Sequence, residues 1–60
     1  GLSEREKQVI ALVCTGASNK SIAYQLGIST GAVSTMLRRS LNKLGIDTRA
    51  ELIWWVNSLG

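Results

Sequence analysis

Between Ser29 and Leu44 the chain carries Ser34, Thr35, Arg38, Arg39, Asn42 and Lys43, and not one Asp or Glu. Short hydroxyls, an amide and a guanidinium are the groups that hydrogen-bond to base edges, Arg forking to a guanine and Asn to an adenine. Lysine and the remaining arginine suit phosphates, which position a duplex without reading it. A solvated helix face would account for the positive charges alone. A face selected only for solubility, however, normally mixes signs, and here the acids Glu4 and Glu6 sit at the other end of the chain, beside Arg5 and Lys7. The net charge of +3 therefore matters less than its placement, which points to a polyanionic partner.

Little else in the chain could do chemistry. It has no histidine, and Cys14 is its only cysteine. No internal disulfide can form, and a zinc site has no ligand set. Cys14 sits among apolar residues with no base in view and reads as a small hydrophobe. No glycine-rich phosphate loop is present. An enzyme is not expected, and no cofactor or metal is implied.

These side chains need elements to hold them, and 60 residues provide one small domain with a marginal core. At 45% hydrophobic the composition is globular. The longest apolar runs fall far short of the roughly 20 residues needed to span a bilayer. The start, GLSEREK, is charged and polar where a signal peptide would be apolar. A lone thiol and no secretory signal favour a reducing, cytoplasmic setting. Gly1-Leu2 without an initiator Met leads to the expectation of an upstream sensing or receiver domain.

Start and stop signals divide the chain into four helices. Ser3 with Glu6 forms a capping box, Val9, Leu12 and Val13 recur at helical spacing, and Gly16 offers the left-handed stop, giving a first helix over Glu4 to Thr15. Ser18 caps a shorter helix carrying Ile22, Ala23 and Leu26, stopped by Gly27. Ser29 caps a third, whose apolar stripe is Val33, Leu37, Leu41 and Leu44, ended by Gly45. Thr48 and Glu51 form a second capping box, and a fourth helix runs through Val56 to about Ser58. No alternating pattern argues for a strand. The fold class is all-α, a four-helix domain with short connections.

Helices two and three are joined by Gly27-Ile28-Ser29, too short a link for antiparallel packing. Small Ala23, the glycine turn, Ile28 as an apolar plug, and Val33 and Leu37 beneath helix three describe a helix-turn-helix. On a wheel of roughly 100° per residue, Gly31, Ser34, Thr35, Arg38 and Asn42 oppose the apolar stripe. Arg39 and Lys43 flank that outer face. Lys20 lies in the first turn of helix two, where backbone amides add their attraction for an anion.

The whole chain is similar to the DNA-binding domain of LuxR/FixJ/GerE-type regulators. The resemblance runs through LSEREKQVIALVCTGASNKSIAYQLGIS, Val33, KLGI at 43–46 and TRAEL at 48–52. It implies the C-terminal domain of a larger transcription regulator of response-regulator type, binding double-stranded DNA as a homodimer, with RNA polymerase as a further candidate partner. Carried over by position, it implies base contacts from Ser34, Thr35 and Arg38, and backbone contacts from Lys20, Arg39 and Lys43. Asn42 joins the backbone group. Family members often have Thr at the position of Ala32, Lys or Arg at Ser34, and His at Met36. These departures imply an altered target or a weaker intrinsic affinity, with more of the readout on Arg38. Gly31 adds a cost of roughly 0.5–1 kcal/mol relative to alanine.

In the fourth helix, Leu52, Trp55, Val56 and Leu59 lie on one side, and Ala50, Ile53 and Trp54 on another. A domain this small buries one such face well, so the other reads as a partner surface. The Leu52 side is expected to be exposed and to form the dimer interface. The alternative is that the tryptophans patch a thin core. Two rival functions fit part of the pattern. The promoter-reading region four of a sigma factor shares the early helices, but it does not need the TRAELIWWV helix. A protein-interaction bundle could offer its basic face to an acidic partner, and affinity for duplex DNA separates the two.

Overall fold

The computed structural model describes residues 1–59, which form four helices: α1 Glu4–Cys14, α2 Asn19–Leu26, α3 Thr30–Leu44 and α4 Arg49–Leu59. No strand occurs among the described residues. Each start has the expected hydroxyl cap. Ser3 Oγ accepts from the Glu6 amide at 3.2 Å, and the Glu6 carboxylate accepts from the Ser3 amide at 2.8 Å, completing the box. Ser18 and Ser29 accept from the amides of Ser21 and Ala32. At α4 the box is displaced: Thr48 Oγ1 accepts from the Glu51 amide at 3.1 Å, but the Glu51 carboxylate reaches the Asp47 amide, at 3.3 Å.

The turn between α2 and α3 depends on Gly27, whose φ of +66° is left-handed and costs an L side chain strain. There the chain reverses through Ile28 N–H, which donates to the Ala23 carbonyl at 3.0 Å and satisfies an acceptor at the helix end. Gly45 repeats the device, its φ of +71° bringing Ile46 N–H to the Leu41 carbonyl. Helix one ends one residue earlier than expected, with Thr15 as its C-cap.

The core draws on all four helices: Val9 and Val13 from α1, Ile22 and Ala23 from α2, Val33, Leu37 and Leu41 from α3, and Leu52 from α4. Helix α3 packs against α1 and α2, and α4 returns onto α1. Two expectations are corrected. Leu44, expected to close the α3 stripe, is 45% exposed because it faces a groove between α3 and α4 that is open to solvent. Leu52, expected on the exposed side of α4, is only 3% exposed, because it is the residue by which α4 joins the core. The α3 position that sequence reading missed is Ser40, fully buried. Its Oγ donates to the Met36 carbonyl at 2.7 Å, so its polarity is satisfied within its own helix.

Candidate nucleic-acid interface

Helix α3 presents Ser34, Thr35, Arg38, Arg39, Asn42 and Lys43 to solvent, while Val33, Leu37 and Leu41 bury the opposite side. Lys20 is exposed on α2, next to Asn19, whose Nδ2 donates to Ser34 Oγ at 3.2 Å. That bond ties the N-terminus of α2 to the outer face of α3. Thr35 Oγ1 donates to the Gly31 carbonyl at 3.0 Å. Ser34, Arg38 and Asn42 line a groove of about 320 Å³, which Asn19 and Asp47 share. Among the described residues, Lys20, Arg38 and Arg39 have no carboxylate within ion-pair distance. Their charges are open to an external anion.

Lys43 is placed differently. Its Nζ lies 2.8 Å from Glu6 Oε1 and 3.4 Å from the Gly1 carbonyl oxygen. The ammonium and the Ser3 amide together hold the Glu6 carboxyl far below its ordinary value of 4.5, at about 2. The α3 lysine, itself half-exposed, thus pairs with Glu6, the one buried carboxylate among the described residues. The structure gathers Ser34, Thr35, Arg38 and Asn42 on one face and turns Lys43 toward α1.

Three residues around this face, and Arg5 at the C-terminal end of α2, are not singled out by the sequence. Asn19 follows the Ser18 cap and reads locally as a helix-start residue. Arg49 donates through Nη1 to Asn19 Oδ1 at 2.5 Å and through Nη2 to the Ala17 carbonyl. Asp47, an acid from outside α3, lines the same groove. Arg5 donates to the Leu26 carbonyl at 3.3 Å, placing a cation at the C-terminal end of α2, where the helix dipole favours one. The motifs GASNK and TRAE were the available signal for Asn19 and Arg49. Cys14 is half-buried and burial raises its thiol pKa, which makes it less reactive.

Residues 1–56 match the family described as bacterial regulatory proteins, luxR family. The chain belongs to the luxR family. As a luxR-family chain it is a helix-turn-helix domain of the DNA-binding, transcription-regulating kind. Among relatives, it is 42% identical over 52 residues to the transcriptional regulatory protein MctR of Rhizobium johnstonii, covering 87% of this chain and 24% of that protein. To the transcriptional regulatory protein FixJ of Azorhizobium caulinodans it is 40% identical over 53 residues, covering 88% and 25%. To DesR of Bacillus subtilis, also a transcriptional regulatory protein, it is 40% identical over 52 residues, covering 87% and 26%. This luxR-family chain thus spans about a quarter of the length of the curated relatives it matches. No solved structure matches it. Among the described residues no helix is long and apolar enough to cross a membrane.

Proposed function

We propose that α3 lies in the major groove of duplex DNA, with Ser34, Thr35 and Arg38 at base edges and Lys20, Arg39 and Asn42 on the phosphates. The observation that carries this reading is the outward face of α3, exposed from Ser34 to Asn42 with no carboxylate anywhere in the helix. Short side chains at Ser34 and Thr35 leave room for the helix to approach, and Arg38 has the reach and fork to bind a guanine. Lys43, half-exposed and paired with Glu6, keeps a third N–H donor for a phosphate at the edge of the face.

A second copy docks through α4, so that two readout helices address two half-sites. Trp55, Val56 and Leu59 are exposed and line, with Leu2, Ile10 and Leu44, a largely apolar groove of about 500 Å³. Leu52 forms its floor from within the core. An apolar patch of this kind on so small a domain fits a partner surface. In this reading the protein controls transcription in the bacterial cytoplasm. In the same reading a regulatory domain accompanies this one in a longer protein, and RNA polymerase is the further partner a promoter-bound regulator addresses.

The test is selection from a random duplex pool followed by titration at several salt concentrations. A defined sequence should emerge, with log affinity falling linearly in log salt by about 0.9 per neutralised phosphate. Absence of any selected duplex would overturn the reading and favour a protein-binding bundle.

A further inference from the structure

The two hydroxyls of the readout face are held with opposite hydrogen-bond polarity, and residues outside that face set it. A guanidinium can only donate. Arg49 donates to the Asn19 side chain and to the Ala17 carbonyl, so the Asn19 amide atom facing Arg49 is its oxygen. The amide nitrogen is consequently turned to α3, where it donates to Ser34 Oγ at 3.2 Å. A serine hydroxyl has a single proton and accepting lone pairs. With a lone pair taken by Asn19, the Ser34 proton is left for an outside acceptor. Thr35 is in the reverse state. Its proton is committed to the Gly31 carbonyl, which leaves lone pairs of Oγ1 to face an outside donor.

We infer that the Arg49–Asn19 pair biases Ser34 toward donating, its proton free and one of its two lone pairs taken, while Gly31 makes Thr35 an acceptor, so that these neighbouring residues favour opposite base-edge groups. Ser34 suits guanine N7 or O6, adenine N7, or thymine O4. Thr35 suits the amino group of cytosine or adenine. The inference rests on the reading that α3 carries the base contacts. Asn19 and Arg49 are positioning residues within it, acting through Ser34.

Asn19→Asp tests it, because a carboxylate can accept from Ser34 but cannot donate to it, while still pairing with Arg49. Duplex selection is run on the unsubstituted chain and on Ser34→Ala, Asn19→Asp and Arg49→Gln, each checked for full helical circular dichroism. Ser34→Ala identifies the base pair that Ser34 reads, by flattening preference there. At that pair the unsubstituted chain should favour an acceptor-bearing edge by about two- to tenfold. Asn19→Asp should move the preference to a donor-bearing edge at that pair alone. Arg49→Gln, which frees the Asn19 amide to flip, should flatten it.

A uniform loss of affinity in Asn19→Asp with the preference intact is what added negative charge alone would produce, and it would overturn the inference. Should Asn19→Asp fail to fold, an Arg49→Gln preference unchanged at the same pair does so instead. Neither result touches the DNA reading itself, which fails only if the unsubstituted chain selects no sequence.

Discussion

Glu6 Oε1 accepts from Lys43 Nζ at 2.8 Å and from the Ser3 amide at 2.8 Å, so one carboxylate oxygen completes the cap of α1 and anchors the last turn of α3. Sequence reading assigned the two residues to separate tasks, a cap and a phosphate contact. Their joining couples the start of the domain to the end of its readout helix.

This coupling gives stability an acid limit. The Glu6 carboxyl is held at about 2 against an ordinary 4.5, so the unfolded chain takes up a proton at higher pH than the folded one. The contribution is complete above pH about 4.5 and is lost as pH falls toward 2. The thermal midpoint should drop across that window. Glu6→Gln, which cannot bear the charge, should lower the midpoint at neutral pH and flatten the dependence. An equal pH slope in Glu6→Gln and the parent would show that other carboxylates control it.

Arg38 and Arg39 are adjacent, both exposed, and both without a carboxylate partner among the described residues, yet they should behave differently. Arg38→Ala should weaken binding to the selected duplex by roughly 1–3 kcal/mol and relax preference at one base pair. Arg39→Ala and Lys20→Ala should weaken all duplexes about equally, each reducing the salt slope by about 0.9. Fluorescence anisotropy on selected and scrambled duplexes separates the two outcomes. Unchanged sequence preference in Arg38→Ala would remove that residue from the readout.

Much of this was legible because it is local. The caps at Ser3, Ser18, Ser29 and Thr48, and the turns at Gly27 and Gly45, lie within a few residues of what they control. What was not legible is long-range. Lys43 and Glu6 are 37 residues apart, and Arg49 and Asn19 are 30 apart. Helical periodicity does not specify which charged side chain meets which across a core. Leu52 was misplaced for a related reason. The α4 sequence LIWWV is apolar on two sides, and only the return of α4 onto α1 decides which side is buried. Ser40 escaped notice because a buried hydroxyl that bonds back to its own helix leaves no apolar signature.

Asp47 is the acid that the α3 sequence lacks, supplied to the groove from the following connection. Asp47 lines the groove together with Arg38 and Asn42, and a negative charge there opposes an approaching phosphate. Asp47→Asn should therefore tighten binding to every duplex several-fold at low salt, with the gain shrinking as salt rises. Tightening of the selected sequence alone would instead assign Asp47 a base-specific role. Its amide donor to Glu51 belongs to the backbone and survives the change, so helical content should hold.

Leu52 and Trp55 are one helical turn apart on α4 and should separate folding from assembly. Leu52 is in the core at 3% exposure, whereas Trp55 is 47% exposed. Leu52→Ala should cost about 2–5 kcal/mol of stability through the cavity it leaves, a large share of what so small a domain possesses. Trp55→Glu should leave the monomer folded while placing a charge in the groove proposed to receive the second copy. Sedimentation should then show a shift toward monomer, and affinity for a two-half-site duplex should fall toward that for a single half-site. A Trp55→Glu chain that sediments as the parent does would exclude this face of α4 as the contact and move attention to Trp54, on the other exposed side.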